Sequence, residues 1–284
     1  MCGSIVLQSR EAACRKTICC GQNCPPARPC CCVLVILKAQ ALSSASYQPS
    51  HLRVLALGFS AFASLSDAES DLLRSLAETA RYHPPSRDLY AAEMPPPPRV
   101  IVAGWAAQYR QLANGQRQII GLRLPGDFVA PLRQLHLPSS CVITALTELE
   151  TVDAQPLVDT EPAHPNLAQA VGVMAHMDYM LLSDQIVRLG RQTAGGRFAH
   201  LMLELYERLS RVGLAEDGRF AMPLTQEVLA DVLGFSVVHV IRTIQQLRRD
   251  RLLDVRNGTA MLIQRDRLQD LANWTPSAEA SVQQ

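Results

Sequence analysis

A chain of 284 residues with 27 basic and 26 acidic side chains, net charge +1, is long enough for two domains with their own cores. That balance excludes a polycation that holds nucleic acid by bulk charge, so any such contact has to come from a local patch. Eight of the nine cysteines fall in the first 32 residues, leaving only Cys141 in the body, which excludes a disulfide framework and points to a reducing compartment, the cytoplasm.

In chain order, residues 1–56 combine cysteine clusters with scattered Pro and Ser and have no sustained periodicity. They are expected to carry no packed structure, and to be non-native if the true start lies downstream. The apolar run 31–37 is far too short to cross a membrane. Lys38 and the Cys-Pro clutter before that run argue against a secretory leader. Order is expected from near Phe62. Ser66-Asp67-Ala68-Glu69 is a capping box, and Leu72, Leu73, Leu76 and Ala80 continue a helical stripe.

From about 87 to 160, within a domain bounded at 57–160, the pattern turns to short strands. Residues 99–109 are β-rich, Asn114-Gly115 is a hairpin turn, 118–124 returns as a strand, and Pro125-Gly126-Asp127-Phe128 turns again. Residues 141–152 hold one or two more strands, and 94–99 (MPPPPR) makes a stiff loop. Many short strands at this spacing predict a small β-barrel or jelly roll. Segment 161–193 contains one long helix, 166–191, with Leu167, Val171, Met174, Met177, Leu181 and Ile186 or Val187 in an apolar stripe. Such a helix is either internal core or a seam with a second subunit. The Ala194-Gly195-Gly196 run reads as a break, 197–211 as a further helix, and 213–220 as a linker.

The stretch 224–253, LTQEVLADVLGFSVVHVIRTIQQLRRDRLL, reads as two short helices around a tight turn. Thr225 is a good N-cap, Val228, Leu229, Val232 and Leu233 give an apolar stripe, and Gly234 supplies the left-handed residue that ends a helix. Ser236 caps the second helix, where Val240, Ile244 and Leu247 share one face, with Val238, Arg242, Gln245 and Arg249 on the other. Residues 254–263 follow as a hairpin turning at Asn257-Gly258. Helix, turn, helix, hairpin is a winged helix, and Arg242 stands one turn in, where it can reach guanine bidentately. From 219 to 267 eight Arg face five acids, a local excess suited to phosphate. The domain is bounded at 194–274, with 275–284 as a tail. The seven His form no H-x-H pair or H-E-x-x-H motif, and there is no P-loop or G-x-S-x-G, so no enzymatic role is expected.

The order of parts resembles the Crp/Fnr family of bacterial transcription regulators over about residues 60–274, most closely at 104–129 (GWAAQYRQLANGQRQIIGLRLPGDFV) and 223–253. The resemblance implies an α+β chain: an N-terminal β-barrel or jelly-roll sensor of the cyclic nucleotide-binding type, a long dimerisation helix and a C-terminal winged helix-turn-helix. It implies a homodimer on a palindromic DNA site, with RNA polymerase and a small-molecule effector as further partners and no membrane. By position Arg242 matches the guanine-reading Arg and Ser236 a phosphate-holding Ser. Val238 stands where the family often has Glu. The DNA face is assigned to Thr225, Gln226, Ser236, Val237, Val238, His239, Arg242 and Gln245, with His239 either toward DNA or simply exposed.

After the GDF turn the family's cyclic-nucleotide Glu and Arg are replaced by Pro131 and a residue of 138–140 (Pro-Ser-Ser), so no cyclic nucleotide is expected, because its phosphate would be buried unpaired. The alternative is an iron–sulfur cluster, as in the oxygen-sensing branch. Cys20, Cys24 and Cys30 approximate that spacing, but the fourth ligand should fall near Val152 and Cys141 comes too early. The expectation is therefore no cofactor and no metal. A rival of another class is a ligand-binding or catalytic barrel with an incidental helical hairpin.

Overall fold

The computed structural model describes residues 50–90, 97–129, 141–159 and 163–274. Its first helix, α1 (His51–Ser60), is capped by Ser50 and buries Val54, Leu55 and Phe59. Order therefore begins before both Phe62 and the boundary at 57. The stripe is short and lacks an acidic first turn, so the preceding irregular sequence masked it. Helix α2 (Asp67–Ala77) has the predicted capping box, the Glu69 carboxylate accepting from the Ser66 amide at 2.8 Å.

Two antiparallel four-stranded sheets follow, facing one another as in a jelly roll. One orders β1 (Arg81–His83), β8 (Leu149–Asp153), β3 (Arg99–Ala103) and β6 (Phe128–Val129). The other orders β2 (Asp88–Tyr90), β7 (Val142–Ala145), β4 (Ala106–Gln111) and β5 (Arg117–Arg123). The run 99–109, read as one β-rich stretch, is divided at Gly104, so that β3 and β4 serve different sheets. Only glycine fits there: φ is 81° and a Cβ would lie 2.0 Å from the Glu148 carbonyl oxygen. Period-2 alternation then sorts the side chains of the first sheet. Val100, Val102 and Val152 pack outward under the helices, while Ile101 and Leu149 join Ala106, Val129, Ile143 and Ala145 between the sheets.

After a short helix, α3 (Gln155–Val158), the chain enters α4 (Pro165–Arg191), whose 27 residues span about 40 Å. Glu69 receives its N-terminus, accepting from the amides of Asn166 and Leu167 at 2.9 and 3.1 Å. Leu167, Ala170 and Met174 are buried, and Val171, Met177 and Leu181 are half-buried. Ile186 and Val187, assigned to that same stripe, are instead 65% and 51% exposed, beside Tyr179, Met180 and Leu182. At 3.6 residues per turn Ile186 and Val187, five and six residues after Leu181, fall off the inward face that Leu167, Met174 and Leu181 define. The inward positions of the last turns go to Gln185 and Arg188.

The break falls at Gln192 and Thr193 rather than at 194–196. Thr193 caps α5 (Ala194–Arg211), whose third residue, Gly196, would bring a Cβ within 2.9 Å of the Leu271 carbonyl oxygen. The 213–220 linker instead contains β9 (Ala215–Glu216) and the start of β10 (Arg219–Ala221). These join β11 (Leu253–Arg256) and β12 (Thr259–Leu262) in a sheet ordered β11-β12-β10-β9, and α8 (Arg265–Ala272) closes the domain. Two-residue pairings carry too little pattern to be seen in sequence. A buried ionic chain ties the parts together: Arg188 of α4 pairs with Glu204 of α5, and Arg208 joins Glu204 at 2.8 Å, the Leu122 carbonyl at 2.9 Å and Asp127 of the PGDF turn. Burial pushes the Glu204 carboxyl up, but the Arg188 and Arg208 guanidiniums outweigh it and hold it ionised. No helix among the described residues is long and apolar enough to cross a membrane.

Candidate nucleic-acid interface

The reading head is built from α6 (Gln226–Leu233) and α7 (Val237–Arg249). The Thr225 hydroxyl accepts from the Val228 amide at 3.3 Å, and Val228, Leu229, Val232 and Leu233 are buried. Gly234 ends α6 at φ 67°, ψ 37°, which turns the chain without Cβ strain. Ser236 caps α7 by accepting from the His239 amide at 3.3 Å, an arrangement that leaves its own O–H free to donate. Val240, Ile244 and Leu247 face the core as predicted, and burying each contributes on the order of 1.5–3 kcal/mol to holding α7 at this angle. Buried Thr243 is kept satisfied by donating to the His239 carbonyl at 2.9 Å.

The outward row is what remains. Val238 is 56% exposed, and His239, Arg242 and Gln245 are exposed with it. Arg242 makes no hydrogen bond or ion pair among the described residues, so its five donors are available to a ligand. Ser236, Val238, His239 and Arg242 line one groove of about 500 Å³ with Arg249 and with Ala194 and Gly195 of α5. The other assigned residues separate. Thr225 and Gln226 are exposed at the start of α6, and Gln245 is exposed on α7, but none of the three lines that groove. Val237 is half-buried, part of its side chain packing against the core. It precedes the first inward turn of α7, and periodicity at a helix start does not resolve in from out.

His239 is exposed yet ordered, because its ring stacks on Phe235 at 4.6 Å, and the Arg197 guanidinium lies over that same Phe235 ring at 5.0 Å. Arg197 and the start of α5 escaped the sequence reading, since 194–196 read as a break; the Thr193 cap was the signal available. Arg248, next to Arg249 in the chain, has a different task. It donates to the Asp254 carboxylate at 2.7 Å and the Val255 carbonyl at 2.6 Å, fastening α7 to the wing. The wing turns at Asn257 and Gly258, with φ of 52° and 71°. Cys141 is half-exposed, and among the described residues no group of His, Cys, Asp or Glu could hold a metal ion. Cys20, Cys24 and Cys30, and the cassette positions Pro131 and 138–140, lie outside the described residues.

A two-helix hairpin with a left-handed glycine turn, an exposed polar row on the second helix and a β-wing behind it defines a winged helix-turn-helix DNA-binding protein. Residues 196–271 match the family model of the Crp-like helix-turn-helix domain. The nitrogen fixation regulation protein FixK of Bradyrhizobium diazoefficiens is 30% identical over 173 residues, 61% of this chain and 72% of that protein. The transcriptional activatory protein AadR of Rhodopseudomonas palustris is 28% identical over 192 residues, 66% of this chain and 79% of that one. The solved structure of FixK2 from Bradyrhizobium japonicum superposes with a TM-score of 0.59 at 24% identity, covering 69% of this chain and 98% of that one. The chain belongs to the Crp/Fnr family of transcription regulators. It is a DNA-binding regulator with a jelly-roll domain, a long connecting helix and a winged helix-turn-helix.

Proposed function

We propose that this regulator works in the cytoplasm as a homodimer on a palindromic operator, with Arg242 of each protomer reading a guanine. The observation that carries the reading is the exposed row Val238, His239, Arg242 and Gln245 on a helix capped and backed by its own core. Arg242 donates bidentately to guanine, and Val238 offers a methyl contact to thymine. Ser236 donates to phosphate, with Thr225 and Gln226 placed to do the same at the start of α6. The dimer is supported by Tyr179, Met180, Leu182, Ile186 and Val187, an exposed apolar stripe on the long helix.

The protein acts by occupancy and by contact with RNA polymerase, not by catalysis. Its sensor takes a small-molecule effector other than a cyclic nucleotide and holds no resident cofactor. Support for excluding a cyclic nucleotide comes from Pro131 and the Pro-Ser-Ser of 138–140, which supply no cation for a cyclic phosphate. Selection from random duplex DNA tests the core of the reading. The expected result is an inverted repeat with half-site centres about 34–36 Å apart. A monomer without sequence preference at physiological salt would refute it, and no DNA affinity even at low salt would favour the rival barrel class.

A further inference from the structure

The last carbonyls of a helix have no partner within it and must be satisfied from elsewhere. At the end of α6, the first helix of the helix-turn-helix, those partners come from three other elements. Gln118 of β5, in the sensor, donates its side-chain amide to the Asp231 carbonyl at 2.7 Å. Gln185 of α4 donates to the Val232 carbonyl at 2.7 Å, and Arg197 of α5 to the Leu233 carbonyl at 3.2 Å. Beside Gln118, Arg117 pairs with the Asp231 carboxylate at 2.5 Å. Beneath these polar contacts Trp105, Ile119 and Leu122 of the sensor share one core with the winged helix.

We infer that the β4–β5 hairpin of the sensor is a clamp on α6, and that Arg117 and Gln118 are positioning residues for DNA reading. The clamp grips α6 at its C-terminal end. None of the exposed residues assigned to DNA takes part in it, so the clamped state leaves the reading face open while fixing where that face stands. A reading helix held in place loses less freedom on binding than a loose one. Release should therefore lower operator affinity, and the state of the sensor reaches DNA through β5 as well as through the long helix. The inference rests on the DNA-reading role proposed above.

The test uses the full-length protein and four variants: Arg117→Glu, Asp231→Arg, the double charge swap, and Gln118→Leu. Hydrogen exchange over 226–235 reads the clamp without DNA. Exchange should quicken by about fivefold in each single variant and return to within about twofold of wild type in the swap, a range set by a pair one-third exposed. Operator affinity should fall by a similar factor in the single variants and recover in the swap. Unchanged exchange in the single variants, or a swap as impaired as either, would overturn the clamp. Faster exchange with unchanged or higher operator affinity would overturn the positioning role. A wild-type protein that binds no DNA, yet shows the exchange pattern and its rescue, would sink the DNA reading alone and leave the clamp standing.

Discussion

Replacing Glu69 with Gln should weaken the fold more than any surface substitution, although the two side chains have nearly the same shape. Glu69 is 1% exposed and its carboxylate accepts five hydrogen bonds. One oxygen takes the amides of Asn166 and Leu167, and the other takes the Ser66 amide, the Ser66 hydroxyl and the Asn166 side chain. A glutamine has one oxygen, so whichever way it turns, its NH₂ confronts two or three donors. Each bond to a charged acceptor contributes about 1.5–3 kcal/mol net, and these are not additive. The charge also lies at the N-terminal ends of both α2 and α4, worth a further ~1 kcal/mol. The expected loss is about 3 kcal/mol, or roughly 6–12 °C in Tm for a chain of this size.

The pH dependence gives a second reading. Burial raises this carboxyl, but the Ser66 amide, the Asn166 side chain, the Ser66 hydroxyl and the Leu167 amide outweigh it, lowering the pKa from 4.5 to about 2. A depressed carboxyl stabilises fully above its unfolded value and loses that contribution as pH falls through the folded one. The gap between wild type and Glu69→Gln should thus be full above about 4.5 and shrink toward pH 2. Urea unfolding at one fixed protein concentration, at neutral pH and at intervals down to pH 2, measures both. A loss under about 1 kcal/mol at neutral pH, or one that does not shrink in acid, would refute the reasoning.

Arg242→Ala should cost about 1–3 kcal/mol in operator binding and relax preference at one base pair per half-site, whereas Arg249→Ala should weaken all sequences alike and flatten the salt slope by about one; competition with mutated operators at several salt concentrations separates them. Arg248→Ala should instead lower the Tm of the wing through the lost Asp254 and Val255 contacts, read by melting without DNA. Ile186→Glu places a charge in the exposed stripe of α4 and should shift sedimentation toward monomer, with operator affinity falling in parallel; an unchanged dimer would move the seam elsewhere. For the sensor, full-length protein and a form beginning at Gln48 should bind operator equally in air and without it, and neither should contain iron or sulfide. A brown full-length protein that loses DNA in air would establish the cluster instead.

Features written in local chemistry were legible in the residues. The capping box at Ser66 and Glu69, Gly234 before Ser236, and Asn257-Gly258 each demand a particular backbone state or donor that few other sequences satisfy. Helical period then divided α7 correctly into a buried face at Val240, Ile244 and Leu247 and an exposed one at Val238, Arg242 and Gln245. These short-range rules sufficed for the winged helix, because its two helices, turn and wing are contiguous in the chain. They failed where the signal was short or the environment ambiguous. The stripe of α1 spans only 10 residues after an irregular segment, and β9 holds two.

Partnership between distant residues was decided by tertiary structure. Gln118 looked like any polar strand residue and Gln185 like any solvent-facing helix residue, yet both donate to carbonyls of α6 more than 45 positions away in sequence. Arg248 and Arg249 are neighbours of the same type, and only the wing's approach at Asp254 makes one a fastener and leaves the other facing the groove. Along α4 the sequence determined that a long apolar helix forms, but which of its apolar residues stay exposed depended on where the jelly roll and the winged helix press against it. Propensity and capping act within a turn or two of chain; burial and charge pairing act across space, and they assign a side chain its task only once the fold has chosen its neighbours.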